Sequence, residues 1–203
     1  MDEIGLFPLG LVLLPTEQVP LHIFEPRYRE LITECLDAGE PFGLVFADDD
    51  GLRRVGTLAS VVEVIERFED GRLNVVVEGG DRFRLMELTD GRPFHTGTIE
   101  TLGDRDDPPS AGEVDRAVAL FARLVDLTGA DVEAPDVAAG QPSFVLASRF
   151  ELAPELKLEL LEETSERVRL TRLCEILEAA AAAVERQRAI AELAQTNGHA
   201  RPG

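Results

Sequence analysis

The chain has 203 residues and a formal charge of −19, from 20 Lys and Arg against 39 Asp and Glu. Phosphate backbones and anionic membranes repel so acidic a protein, which argues against both as partners. Residues 1–105 carry 21 acids and 10 bases, and residues 106–203 carry 18 and 10. Because the excess of acids is spread over both halves, we expect no nucleic acid and no membrane as a partner.

The first half of the chain predicts β-strands. Apolar runs separated by tight turns indicate an antiparallel sheet or a small barrel. Asp70-Gly71 and Asp90-Gly91 predict hairpin turns, and Gly79-Gly80 predicts a bulge. The run at residues 4–14 is short and broken by Pro8, which predicts neither a signal peptide nor a membrane span. The predicted strands cover residues 4–9, 19–24, 42–46, 55–68, 73–77, 83–85 and 94–102.

Helical signals begin at Pro26, which opens a predicted helix over residues 26–38 that Gly39 ends. We expect Glu25 to stabilise its N-terminus through capping or the helix dipole. Residues 103–112 are acidic and proline-containing, which predicts a linker or an exposed loop. Helical periodicity follows and predicts helices at residues 114–128, 143–151, 155–163 and 165–194. These patterns divide the chain into a β-rich subdomain (1–105), a helical subdomain (113–195) and a disordered tail (196–203).

The single lysine, Lys157, limits the possible enzyme classes. It lies within a predicted helix between acids and follows no glycine-rich loop, which excludes the P-loop pattern of ATP-binding proteins. Neighbouring acids raise a lysine pKa and disfavour a Ser–Lys dyad, which leaves a solvated helix charge as the expectation. No serine lies in a G-x-S-x-G motif, and no nucleophile–base pair supports a small hydrolase. We therefore predict a protein that is not an enzyme and that needs no cofactor.

Candidate metal ligands are weak. Cys35 and Cys174 lie far apart on apolar helix faces, which favours inert, reduced thiols and a cytoplasmic protein. The acidic triplet at residues 48–50 lacks the alternating ligand pattern of a calcium loop. His22 lies near Glu25, but a strand that leads into a helix explains that pattern better. We therefore expect no metal site.

The apolar segment at residues 6–15 is longer than a short strand requires. Burial in the core is one explanation. Exposure at the mouth of the barrel, as a groove that accepts polypeptide, is the other. The candidate peptide-binding residues are apolar and lie near predicted loop ends: Leu11, Leu13, Leu14 and Phe46.

Several segments carry a family likeness, namely Leu6-Phe7-Pro8-Leu9, Pro20 to Tyr28, Asp70-Gly71-Arg72 and Gly79 to Phe83. Together they resemble the N-terminal substrate-binding domain of the Lon proteases. The most specific block runs from His22 to Tyr28, and the likeness extends over about residues 4–185. The resemblance implies an α+β fold, with a PUA-like curled antiparallel β-sheet or pseudo-barrel followed by an α-helical bundle with a long C-terminal helix. It also implies a structural role, where a strand turns into the first helix, for His22, Phe24, Glu25, Pro26, Arg27 and Tyr28.

The resemblance further implies a function. Lon proteases continue into an ATPase module and a Ser–Lys protease module, and we expect this chain to lack both because it ends before either could start. The expected role is recognition of unfolded or exposed polypeptide in an apolar cleft between the two subdomains, whose acidic rims favour basic or amphipathic segments. A separate protease or another protein is a further candidate partner. Two alternatives remain open: an adaptor or assembly role through the long C-terminal helix, and RNA binding, which PUA-like folds suggest and the charge opposes.

Overall fold

The structure, a computed structural model, describes residues 2–198 and begins with a six-stranded sheet. The strands are β1 (Asp2–Leu9), β2 (Gln18–Ile23), β3 (Phe42–Asp48), β4 (Gly51–Arg67), β5 (Leu73–Thr89) and β6 (His95–Thr101). Their order is β2-β5-β4-β3-β1-β6, and β6 also pairs with β5. Five strands therefore close into a ring, and β2 is added along β5 outside it. This ring confirms the predicted curled sheet or pseudo-barrel.

One strand pair departs from the prediction. All other pairs are antiparallel, but β1 and β3 run parallel, with Leu6 opposite Gly43. The prediction of a wholly antiparallel sheet is wrong here because β2 and a helix lie between the two strands and provide the crossover that a parallel pair needs. β5 runs unbroken past Gly79, where its register against β4 shifts near Ala59. That shift confirms the predicted irregularity.

The turn at residues 14–17 lies directly on β5. Thr16 N donates to Gly79 O at 2.8 Å, and Gly79 N donates to Glu17 O at 2.9 Å. A Cβ at Gly79 would lie 2.1 Å from the carbonyl oxygen of Leu14, so only glycine permits this approach. Thr16 adopts φ 67°, a left-handed conformation that strains a β-branched residue. The contact with β5 therefore holds the turn in a strained conformation.

The helices of the described residues are α1 (Pro26–Ala38), α2 (Ala111–Thr128), α3 (Pro142–Ala147), α4 (Pro154–Glu162) and α5 (Glu166–Gly198), with a 3₁₀ turn at Val137–Ala139. The predicted bounds of α1 are confirmed, and Gly39 ends it with φ 68°. α3 ends four residues before its predicted end at residue 151, because turns such as Phe150 N to Ala147 O replace helical bonds. α5 has 33 residues and is about 50 Å long.

The predicted C-terminal tail differs from the structure where the two can be compared. α5 includes residues 196–198, so the tail predicted to begin at 196 is helical there. The prediction underestimated the helix because its apolar stripe fades after Val184 while good helix formers continue. Residues 199–203 lie outside the described residues.

The sheet and the helices share one apolar cluster. Val12, Leu14, Phe46 and Val55 from the β-rich part are all buried in it. From the helical part it includes Ala117, Phe121, Leu124, Phe144, Leu146, Leu160, Leu161, Leu170, Leu173, Cys174 and Leu177. A second cluster lies between the sheet and α1 and contains Leu13, Tyr28, Leu31 and Ile32.

A buried ionic network also joins the two parts. Arg82 on β5 is 3% exposed and Arg169 on α5 is 0% exposed, and both donate hydrogen bonds to Asp104. Their guanidinium carbons lie 5.2 and 3.9 Å from the ring centroid of Phe144. The partner of Arg82 in this network, Asp104, lies 22 residues further along the chain. The predicted linker is therefore not simply exposed, because Asp104 anchors it.

The charges in this network control the ionisation of Asp104. Burial alone raises the pKa of its carboxyl group, but the hydrogen bonds and charge of Arg169, with the charge of Arg82, outweigh burial. The net result is a pKa below the ordinary value. Burial and the nearby charge of Arg169 lower the pKa of Arg82.

Candidate functional site

The four apolar residues predicted to contact polypeptide differ in accessibility. Leu13, Leu14 and Phe46 are 1%, 0% and 8% exposed and belong to the apolar clusters. The prediction is wrong for these three, because side chains that fill the core cannot contact a partner. Leu11 is half-buried and lines an open groove.

That groove, which we call the sheet–helix groove, separates β2 from the segment after α3. It has a volume of about 330 Å³, within the range of roughly 300–1,000 Å³ typical of ligand pockets. Its apolar sides come from Leu11, Val19 and Pro20 on the β-rich part and from Phe150 on the helical part. The predicted cleft between the subdomains thus has a physical counterpart.

The sheet–helix groove is also lined by the only lysine of the chain. Lys157 pairs with Glu17, and the side chains are 12% and 9% exposed. Glu17 Oε2 also accepts a hydrogen bond from Leu14 N at 2.9 Å, which fixes the strained turn. The expectation of a solvated Lys157 is wrong, because this lysine joins α4 to a turn 140 residues earlier. The ammonium group of Lys157 forms a structural ion pair with Glu17.

Beyond the groove, β2, β5 and β4 present one face of the sheet to solvent. Cross-strand partners share a face, and the pairs on this surface are Pro20 with Val76, His22 with Asn74, Val76 with Glu63, and Asn74 with Glu66. Val75 and Val77, which alternate with them on β5, are fully buried. This set therefore points away from the core. We call this surface, together with the adjoining exposed residues Phe24, Val62 and Ile65, the outer face.

Polar contacts order one end of the outer face. Asn74 Nδ2 donates to Glu66 Oε2 at 3.1 Å, so Asn74 Oδ1 faces His22 and accepts from its Nδ1 at 2.6 Å. The ring of Phe24 stacks on His22 with centroids 5.9 Å apart, and Phe68 meets His22 edge-on at 6.1 Å. Phe24 nevertheless stays 59% exposed. Its stacking on His22 places a large apolar ring in water in a defined position.

Two irregularities in β4 place further apolar side chains in solvent. The register against β5 shifts between Val61 and Glu63 and again between Val64 and Glu66, so Val62 and Ile65 are the extra residues of two bulges. They are 49% and 55% exposed. Val61 and Val64 pack against the cluster beneath the sheet, which leaves the bulge side chains on the solvent side. Three exposed acids, Glu63, Glu66 and Glu69, and one exposed base, Arg67, lie in the same segment of the chain.

The block from His22 to Tyr28 lies where β2 ends and α1 begins. Tyr28 is buried and stacks on Phe7 at 4.1 Å, with the guanidinium of Arg27 4.5 Å from its ring centroid. Burial raises the pKa of Tyr28 despite the opposing charge of Arg27. Glu25 occupies the N-cap position of α1, but its side chain makes no cap hydrogen bond. Capping by the Glu25 side chain is therefore a wrong prediction, because its carboxylate pairs with Arg27 at 2.8 Å.

Other candidate chemistry lies apart from the groove and the outer face. Cys35 and Cys174 are free thiols, and Cys174 is buried in the shared core. Asp48 of the acidic triplet pairs with Arg53 at 2.7 Å in the β3–β4 turn. Within the described residues, no cluster of His, Cys, Asp and Glu is arranged to hold a metal ion. In the same part of the chain, no helix is both long and apolar enough to cross a bilayer.

Solved Lon N-terminal domains share this fold. A Lon N-terminal domain protein from Xanthomonas campestris aligns with a TM-score of 0.67 and 27% identity, over 85% of this chain and 97% of that one. The N-terminal domain of a Mycobacterium avium complex Lon protease aligns with a TM-score of 0.62, over 89% and 98%. Its identity is 16%, so that likeness shows the fold alone.

Sequence comparison shows the family. Residues 3–179 match the model of the ATP-dependent protease La (LON) substrate-binding domain, and the chain belongs to this family. A Lon protease from Parabacteroides distasonis is 32% identical over 66% of this chain, and one from Paraburkholderia phytofirmans is 27% identical over 92%. The matched regions are 17% and 25% of those two proteins. The resemblance inferred from the block at residues 22–28 is therefore confirmed.

Proposed function

We propose that this protein is a non-catalytic module that binds exposed apolar segments of polypeptide on the outer face and in the adjoining sheet–helix groove. The observation that carries the proposal is the exposure of Phe24, Val62 and Ile65 on the outer face. The solvent side of an antiparallel sheet normally carries polar residues. An apolar patch with a polar rim is typical of an interaction surface.

The outer face and the groove meet at Pro20. This residue lines the groove and also lies opposite Val76 on the outer face. A bound segment can therefore run from one surface to the other without crossing the core. The two surfaces together form one extended binding region.

Recognition on β2 proceeds through side chains rather than through added strand pairing. β2 pairs only with β5, so its other edge faces away from the sheet. A proline within an edge strand turns its missing N–H side outward. Pro20 thus interrupts the backbone donors that an incoming strand would need. Binding through side chains tolerates many sequences, which suits a partner defined by exposed apolar residues.

The charge around this region supports basic or amphipathic segments as partners. Glu63, Glu66 and Glu69 are exposed beside the bulges of β4. Such a rim attracts cationic segments and repels nucleic acid. The non-catalytic role is supported by the match to a substrate-binding domain and by the engagement of Lys157 in an ion pair. Free thiols at Cys35 and Cys174 support a reducing compartment such as the cytoplasm.

The test is binding to a permanently unfolded protein, for example reduced and alkylated α-lactalbumin, measured by fluorescence anisotropy. We expect micromolar binding that falls at least about tenfold in the double variant Phe24→Ser/Ile65→Ser, because each residue acts as an apolar anchor. The matched control is Leu88→Ser on β5, which is 53% exposed and lies outside the outer face. Absence of binding at micromolar concentrations, or equal losses in the variant and the control, contradicts the proposal.

A second candidate function, adaptor or assembly through α5, rests on the exposed end of that helix. Arg116 pairs with Glu178 and Arg123 with Glu185, both at 2.7 Å and both 62 residues apart, so α2 and α5 run parallel. At this offset the last residue of α2 is level with Ile190. Ile190 and Leu193 are 66% and 65% exposed. Light scattering tests this role by measuring the mass of any assembly. We expect the double variant Ile190→Ser/Leu193→Ser to have a lower mass than the wild type. An unchanged mass contradicts assembly through α5.

A further inference from the structure

A second groove lies between α1, β1 and the turn that joins β5 to β6, and we call it the α1–β1 groove. Its volume is about 390 Å³, and it shares no lining residue with the sheet–helix groove or the outer face. Its accessible apolar side chains are Ile4, Cys35, Ala38 and Pro41, and the buried Leu31 and Phe94 lie beneath them. A Cβ at Gly5 would lie 2.3 Å from Leu31 Cδ1 and 3.1 Å from Phe94 Cε2. Glycine at this position thus lets both side chains approach β1.

The rim of the α1–β1 groove is acidic. Glu3, Glu34 and Glu40 line it, against the single base Arg92. Arg92 pairs with Glu34, and its guanidinium lies 4.7 Å from the ring centroid of Phe94. The combination of a carboxylate and an aromatic ring therefore already holds one cation here.

Two carboxylates remain for a second cation. Within residues 2–198, Glu3 and Glu40 form no ion pair with Arg or Lys, although Glu3 accepts a hydrogen bond from Thr89. The charge that lines the groove is therefore −2, from three acids and one base. Cys35 adds a half-buried thiol, whose pKa burial and the charges of Glu34 and Glu40 raise to about 11. A neutral thiol behaves as a small apolar group.

We propose that the α1–β1 groove is a second docking site, which takes a polypeptide segment that carries a lysine or arginine beside an apolar side chain. The apolar walls accept the apolar side chain, and Glu3 and Glu40 receive the cation. The inference rests on the proposed function, because the ligand is again polypeptide, and it specifies a class of segment. Two separated sites on one chain raise the avidity for long unfolded partners over short ones.

The experiment uses two short labelled peptides with the full chain. One peptide alternates leucine with lysine, and the other has glutamine in place of lysine. We expect Glu40→Lys to lower the affinity for the lysine peptide by about tenfold, since it replaces an attraction with a repulsion. The affinity for the glutamine peptide is expected to stay unchanged. The control Asp115→Lys makes the same change in net charge at an exposed position on α2. We expect it to have little effect.

A second readout reports on the groove itself. Saturating lysine peptide should slow the alkylation of Cys35 in the wild-type chain, measured by mass spectrometry, while Cys174 stays unreactive because it is buried. Equal effects of Glu40→Lys and Asp115→Lys, or alkylation of Cys35 that the peptide does not slow, overturn the inference. If unfolded α-lactalbumin binds in that case, the proposed function stands and only the groove assignment fails. If it does not bind, the proposed function fails as well.

Discussion

Removing Arg169 tests the ionic network that joins the sheet to the helices. Arg169 is fully buried and donates to Ser143 Oγ at 2.7 Å, to Asp104 at 2.6 and 2.9 Å, and to Glu163 O at 2.6 Å. Arg169→Met keeps much of the side-chain volume but leaves the carboxylate of Asp104 with less compensation. Loss of one partner from a buried charge cluster costs about 3–5 kcal/mol.

That loss lowers the melting temperature by roughly 6–20 °C for a chain of this size. Urea denaturation followed by circular dichroism measures the free energy of unfolding. Arg172→Met is the matched control, because Arg172 lies one turn away on α5 and its ion pairs with Glu159 and Glu175 are exposed. Equal losses of unfolding free energy in the two variants would show that the buried network contributes no more than an exposed ion pair.

Arg169→Met also changes the pH at which acid unfolds the chain. The pKa of Asp104 is lowered in the folded chain, so its carboxylate stabilises the fold above its unfolded pKa. This contribution is lost as the pH falls through the lowered value. Without Arg169, burial raises the pKa of Asp104, so acid unfolding of Arg169→Met begins at a higher pH than in the wild type. The free energy of unfolding is compared between the wild type and Arg169→Met at each pH. If the difference between the two does not change with pH, the role of Asp104 is contradicted.

Three further predictions concern the strained turn and the thiols. Thr16→Gly relieves the left-handed strain and raises the free energy of unfolding by up to about 1 kcal/mol; a lower melting temperature would contradict this. Gly79→Ala drives a methyl group into the carbonyl of Leu14 and destabilises the fold by about 1–3 kcal/mol in urea denaturation; a neutral effect would show that the turn can move. Alkylation of Cys35 accelerates as the pH rises toward about 11, whereas Cys174 reacts only after unfolding; equal labelling of both at neutral pH would refute the burial difference.

Local signals predicted the elements well where one residue determines the backbone. Pro26 and Gly39 mark the two ends of α1 because the first fits the opening turn of a helix and the second adopts φ 68°. Asp90-Gly91 lies in the turn between the paired strands β5 and β6. Such residues act on their own neighbours, so their effect can be inferred without the tertiary fold.

The candidate site was harder to predict because it depends on distant contacts. Leu13 and Leu14 are buried because the turn after them lies on Gly79, 65 residues after Leu14. Lys157 is part-buried because Glu17, 140 residues earlier, faces it. Only Leu11 of the predicted contact residues lines the groove.

The outer face escaped prediction for a different reason. The two bulges in β4 break the alternation of buried and exposed residues, so Val62 and Ile65 resemble ordinary core positions in the sequence. Phe24 directly follows β2, where the alternation offers no guide to its exposure. The one usable signal was the unusual length of the predicted strand from residue 55 to residue 68.

Methyl-detected NMR tests whether polypeptide binds on the outer face, because it locates the bound chain on the surface. Unfolded α-lactalbumin is titrated into protein labelled at isoleucine and valine methyl groups. We expect the signals of Val62, Ile65 and Val76 to shift or broaden in proportion to binding, while the signal of Ile190 stays unchanged. Changes confined to Ile190, or none at concentrations that saturate binding, would contradict recognition on the outer face.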